Sequence, residues 1–262
     1  MDTQGVIGHI TGWLKDYAER NGQRGFVVGV SGGIDSAVTS ALCARTGMHV
    51  LCVEMPIHQA RAQVTRAQEH ITALAARYAN VSSQRVELTA VFDRFVAALP
   101  PHADEEAMHL ALANSRARLR MTTLYHLAGL HRSLVAGTGN KVEDFGVGFF
   151  TKYGDGGVDL SPIADLTKTE VYAVGAVLGV NEAIMKAAPT DGLWGDDRTD
   201  EDQIGASYPE LEWAMDLRDR GGSEEGVTAR QRQVLAIFDR RRAANRHKMD
   251  PIPVCLIPER YK

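Results

Sequence analysis

FVVGVSGGIDS, residues 26–36, decides the fold. Phe26, Val27, Val28, Gly29 and Val30, rich in β-branching and too short for a helix, read as a strand buried on both faces. Ser31, Gly32 and Gly33 follow with backbone that can turn through φ > 0 and present successive N–H groups, and residues 34–44 continue with helical spacing and good helix formers. A strand, an anion nest and a helix N-terminus stand in one run.

The loop's composition narrows the anion chemistry. A Walker-type loop places Gly-Lys-Ser/Thr at the helix start so that a lysine reaches phosphate; here that region carries Asp35 and Ser36. An aspartate aimed at phosphates repels them unless a divalent cation lies between. The loop therefore reads as a pyrophosphate cradle with Asp35 as a Mg²⁺ ligand. The plainer alternative, a glycine-rich turn with Asp35 and Ser36 as helix caps, is disfavoured by the apolar strand ahead of the loop. In S-G-G-I-D-S the chain resembles the N-type ATP pyrophosphatases, adenylating synthetases that split ATP between its α- and β-phosphates and pass AMP to the substrate.

The 262 residues, 44% hydrophobic and 24% charged, suit one generous α/β domain spanning 1–262. A net charge of −4 gives no reason to expect nucleic acid. Cys43, Cys52 and Cys255 show no metal-ligand spacing and read as reduced thiols of a cytoplasmic protein. No signal peptide opens the chain, and no apolar run approaches the ~18 residues of a membrane span.

Along the chain, Val6, Ile7, Ile10, Trp13, Leu14 and Tyr17 form one helical stripe. Residues 48–55 predict a second strand ended by Pro56, 59–79 a helix, 86–88 a third strand and 92–99 a further helix. After Pro100 and Pro101, residues 103–129 predict a long helix bearing Arg116, Arg118 and Arg120. Arginines two apart diverge by ~200°, so at most one or two face any site. Residues 133–137 predict a fourth strand entering Thr138-Gly139-Asn140-Lys141, with Glu143 just beyond. Ligands of open parallel sheets collect at the carboxyl ends of strands, which makes this edge a partner for the first, with Glu143 as a second oxygen donor to the cation.

Residues 149–163, FFTKYGDGGVDLSPI, mix glycines, charges and aromatics in a way that suits a ligand loop better than a strand or helix. Together VAGTGNKVED (135–144), FFTKYGDGGVDL (149–160), DLTKTEVY (165–172), APTDGLW (188–194), TDEDQIG (199–205) and His247-Lys248 resemble the NAD synthetases, in order over nearly the whole chain. The resemblance implies that deamido-NAD, ATP and ammonia give NAD, AMP and pyrophosphate. It implies that Gly29, Val30, Ser31, Gly32, Gly33, Ile34, Asp35 and Ser36 hold pyrophosphate, and that Thr138, Lys168 and Thr190 contact ATP. Asp35 and Glu143 would bind Mg²⁺, and Arg118, Lys152, Asp159, His247 and Lys248 would hold deamido-NAD.

Chemically, a nicotinate carboxylate resists amidation because its charge repels nucleophiles and oxide does not leave; adenylation turns it into a mixed anhydride that ammonia opens. Neither half-reaction needs a protein nucleophile, and catalysis rests on positioning and on Asp35, Glu143 and Lys168 around the phosphates. No amidase segment with a nucleophilic cysteine accompanies the core, so free ammonia is the expected donor, with a separate glutaminase partner left open. The fold expected is a doubly wound, mostly parallel α/β sheet with helices on both faces, in a homodimer whose interface includes the 103–129 helix. Two competing readings are another adenylating enzyme of the superfamily, which would want a xanthine site, a basic RNA-binding extension or catalytic cysteines, and a non-catalytic adenine-nucleotide sensor, which has no use for Glu143 or FTKYGDGG.

Overall fold

In the computed structural model, which describes residues 1–190 and 199–262, β1 (Gly25–Gly29), β2 (His49–Glu54), β3 (Val81–Arg85) and β4 (Leu134–Val135) form one parallel sheet in the order β3-β2-β1-β4. The chain winds outward from β1 to β3, then returns to the other flank of β1. The strand order therefore reverses between β1 and β4, and the crevice at their carboxyl ends is where such sheets take ligands.

Alternation along the strands sorts the helices into two layers. Phe26 and Val28 of β1 and Val50 and Cys52 of β2 pack with α1 (Thr3–Arg20), α2 (Ile34–Arg45) and α3 (Arg61–Arg77). Val27, Leu51 and Val53 face the opposite way, against α4 (Thr89–Ala97) and α5 (Glu105–His131). Strands covered on both sides read as continuous apolar runs, which is why β1 and β2 are legible.

The edge strand differs from expectation. Residues 86–88 were the predicted strand, whereas β3 is the polar VSSQR five residues earlier, with side chains half-buried to exposed. An edge strand is held by backbone bonds to one neighbour and needs no apolar face. The apolar residues after it still follow β2: Val86 N donates to Glu54 O and Leu88 N to Pro56 O. The fourth strand is also shorter than 133–137, and Ala136 bridges in parallel to Leu160.

Beyond β4 a π-helix, Val142–Val147, packs with α8 (Asp200–Ile204), α9 (Tyr208–Asp219) and α10 (Ala229–Met249) in a second core. The i→i+5 repeat sets Val142 and Val147 on one buried face and leaves Phe145 exposed between them. Between these, α6 (Lys168–Leu178) and α7 (Glu182–Met185) cover α2. Among the described residues no helix is long and apolar enough to cross a membrane. The 191–194 part of APTDGLW lies outside the described residues.

Candidate functional site

The loop after β1 is shaped from within. Ser36 Oγ accepts from Ser31 N at 3.2 Å and donates to Gly33 O at 3.0 Å, while Gly33 N donates to Ser31 Oγ at 3.3 Å. Gly32, at φ +83°, has no room for a side chain, because a Cβ there would lie 2.5 Å from Gln63 O of α3. The helix N-cap is Gly33, with no side-chain cap, so the first-turn N–H groups stay available to an anion. Asp35 does not cap the helix; it turns across the crevice.

There it meets Lys168, the first residue of α6. The Lys168 ammonium donates to Asp35 Oδ2 at 2.6 Å and to Glu143 Oε1 at 2.9 Å. Asn140 fixes both acids: its Nδ2 donates to Asp35 Oδ1 at 3.2 Å, and its Oδ1 caps the N–H groups of Val142 and Glu143. Tyr208 OH donates to Glu143 Oε1 at 2.5 Å and lies 3.3 Å from Asp200 Oδ2, and the ammonium lies 4.7 Å from its ring centroid. Lys168 is 3% exposed, so this is a buried triad of two carboxylates and one ammonium.

Burial raises the Asp35 carboxyl, with Lys168 only partly opposing and Glu143 adding to the rise. Burial pushes Glu143 the same way, but Lys168 and the Tyr208 hydroxyl together hold it below the usual range. Lys168 stays charged because the two acids outweigh its own desolvation. Burial and the neighbouring Glu143 keep the Tyr208 hydroxyl a donor. Counting both acids as ionised, the triad carries one excess negative charge, and among the described residues no group of three or more His, Cys, Asp or Glu side chains could enclose an ion alone. That donor set fits a Mg²⁺ completed by phosphate oxygens and water better than an all-protein cage.

A cavity of about 270 Å³ opens over the loop. Gly29, Val30, Ser31, Gly33, Ile34, Asp35, Ser36, Thr138, Glu143, Lys168 and Thr190 line it, alongside an apolar wall that includes Met55, Met121, Leu124 and Val158. Gly32 sits behind the loop against α3. The residues proposed for the dinucleotide lie elsewhere, and none of the five lines this cavity. Four of them form a chain: Arg118 Nε donates to Lys152 O at 3.3 Å, Lys152 Nζ donates to His247 O at 2.7 Å, and the next residue, Lys248, donates to Gly148 O and Phe150 O. Asp159 stands apart, accepting from Val135 N at 2.8 Å and Tyr125 OH at 3.1 Å. It makes no ion pair with Lys152.

Several site residues escape the sequence reading. Asn140 and Tyr208 carry no charge to draw notice, although Asn140 sits in the quoted TGN and Tyr208 follows Ser207, whose capping box with Glu210 is visible in S-Y-P-E. Asp144 and Asp155 also line the cavity. Burial pushes Asp144 well above the usual carboxylate range, with Glu143 adding to it. Burial raises Asp155 to about 6 against the opposing Thr151 amide.

The NAD synthase family model matches residues 6–251. An NH(3)-dependent NAD(+) synthetase from Methanosarcina mazei is 36% identical over 270 residues, covering 100% of each chain, and one from Alkaliphilus metalliredigens is 36% identical over 97% of this chain and 99% of its own. Among solved structures, an NMN synthetase from Francisella tularensis superposes with a TM-score of 0.82 at 30% identity, covering 99% of both chains. With a glycine loop after β1 and a lysine held between two acids across the crevice, the match along almost the full length places this chain in the NAD synthase family.

Proposed function

We propose that this protein amidates the nicotinate carboxylate of deamido-NAD, using ATP and ammonia and releasing NAD, AMP and pyrophosphate. The observation that carries the reading is Lys168 bridging Asp35 and Glu143 beside an uncapped loop in the cavity wall. The loop N–H groups and Lys168 bind and orient the triphosphate, so that a nicotinate oxygen attacks the α-phosphorus in line with departing pyrophosphate. In the second half-reaction ammonia adds to the carbonyl carbon, AMP leaves with the bonding pair, and the extra proton goes to solvent. Asp35 and Glu143 would hold the Mg²⁺, which when bound supplies charge neutralisation to the phosphates. Asn140 and Tyr208 keep the two acids in place.

The proposal extends to Thr138 and Thr190 as ATP contacts, and to Arg118, Lys152, His247 and Lys248 as the acceptor's anchors; Asp159, with both oxygens engaged, would act by holding its segment. The working unit is a cytoplasmic homodimer of single-domain subunits, with free ammonia as donor. The test is to mix the protein with deamido-NAD, ATP, Mg²⁺ and ammonium and follow NAD and AMP. Pyrophosphate should also exchange into ATP without ammonium when deamido-NAD is present. The absence of both NAD formation and pyrophosphate exchange overturns the reading.

A second reading has its own support, since the Francisella neighbour is an NMN synthetase matched over 99% of both chains. In it the acceptor is nicotinate mononucleotide, and the cavity chemistry is unchanged. Comparing kcat/KM for the mono- and dinucleotide decides between them.

A further inference from the structure

Glu54 closes β2 and lines the same cavity, yet no part of the triad uses it. Gly29 pairs with Val53 and Val30 N donates to Val53 O at 2.9 Å, so Glu54 flanks the entrance to the phosphate loop. Its Oε1 is sealed from solvent and has no hydrogen-bond partner among the described residues. Two arginines that line the same cavity donate to other atoms: Arg120 Nε to Met55 O and Nη2 to Gln59 Oε1, and Arg66 Nε to Gly32 O. A carboxylate oxygen buried without a donor is costly, and such a cost persists where a ligand supplies the donor.

We propose that Glu54 is a specificity residue for the nucleotide, accepting a hydrogen bond from a ribose hydroxyl of ATP; the inference rests on the ATP-dependent reading above. A phosphate is repelled by this carboxylate, which leaves the neutral donors of the nucleoside. With phosphates over Ser31 and Gly33, the ribose is one ester bond away, and the next strand end lies about 4.8 Å to the side. In doubly wound sheets an acid about 20 residues beyond the glycine loop, at the end of the next strand, reads ribose hydroxyls in this manner. The base falls instead to the apolar wall of Met55, Met121 and Leu124.

The test is equilibrium binding of ATP, 2′-deoxy-ATP, 3′-deoxy-ATP and inosine triphosphate, without acceptor, to wild type, Glu54→Ala and Glu54→Gln. Wild type should bind ATP about 10- to 100-fold more tightly than at least one deoxy analogue, and Glu54→Ala should bind ATP no better than wild type binds that analogue. The melting temperature of ligand-free Glu54→Gln should be unchanged or higher, because an unpartnered buried carboxylate oxygen has gone. ATP affinity unchanged in Glu54→Ala overturns the proposal. So does a loss of discrimination against inosine triphosphate in place of the deoxy analogues, or an equal weakening of all nucleotides with a lowered melting temperature. NAD formation by wild type alongside any of these outcomes sinks Glu54 alone; ATP binding that depends on Glu54 in a protein forming no pyridine amide sinks the synthetase reading alone. No ATP binding by wild type sinks both.

Discussion

Asp35, Glu143 and Lys168 share one buried pocket, and the three substitutions are not equivalent. Lys168→Ala leaves two carboxylates facing each other without a cation and should cost about 3–5 kcal/mol, read as a lowered denaturation midpoint. Asp35→Asn keeps Lys168 paired with Glu143 and should abolish pyrophosphate release at a smaller cost in stability. The loop motif alone suggests an exposed helix-start residue whose loss spares the fold; in the structure Asp35 is 18% exposed and ion-paired, so some loss of melting temperature accompanies the loss of activity. Near-normal turnover by Asp35→Asn would remove it from catalysis. Away from the site, His70 is buried between α2 and α3 with Nε2 2.9 Å from Ser40 Oγ, and burial pushes its pKa down to about 4. The folded state keeps it neutral while the unfolded chain protonates it near the ordinary 6.5. Its contribution is thus complete above pH 6.5 and lost as pH falls towards 4, to a total of ~3 kcal/mol. Urea midpoints measured from pH 7 to pH 4 should fall less steeply for His70→Gln than for wild type; parallel profiles would remove His70 from the pH dependence.

At the scale of elements, the position of Lys168 is a matter of helix capping. Thr167 accepts from Glu170 N, Glu170 answers to Thr167 N, and the helix they start carries the ammonium in its first turn. Thr167→Ala should cost ~1 kcal/mol of stability, and because the lysine is carried by that first turn, kcat should fall with it. A loss of stability with unchanged kcat would show that burial alone positions the lysine. Such devices also explain what the sequence can tell a reader. β1, its loop and α2 are legible because local pattern and tertiary role agree: an apolar strand buried on both faces, glycines where the backbone turns, a helix behind them. β3 is illegible because an edge strand asks only for backbone partners, and VSSQR has no apolar pattern. The π-helix is hidden for a related reason, since it is one residue too wide for the 3.6 repeat and its two inward valines are five apart. The triad is partly legible: charges in motifs mark Asp35, Glu143 and Lys168, whereas Asn140 and Tyr208 act through hydrogen bonds across 105 and 65 residues of chain.

For the whole molecule, the separation between the cavity and the acceptor's proposed anchors is the main geometric fact. Lys152 Nζ and the backbone around His247 tie the 149–160 loop, part of which lines the cavity, to the end of α10, and Arg118 joins them from α5, with none of Arg118, Lys152 and His247 lining the cavity that holds the loop and triad. The same helix α5 exposes Leu110 (52%), and the neighbouring α4 exposes Val91 (52%) and Phe95 (38%). Large apolar residues left in solvent on adjacent helices mark a surface for association. The proposed homodimer, if it forms through α5, would cover them and bring Arg118 and Lys152 to its margin, so that acceptor binding and assembly would be linked. Wild type should sediment as a dimer. Leu110→Glu, which inserts a charge into that face without touching the cavity, should shift it towards monomer and raise the KM for the pyridine acceptor about tenfold or more, at unchanged affinity for ATP. Sedimentation velocity with paired substrate titrations checks both halves, and a wild-type monomer with full activity, or a monomeric Leu110→Glu with normal acceptor KM, would separate the acceptor site from any interface.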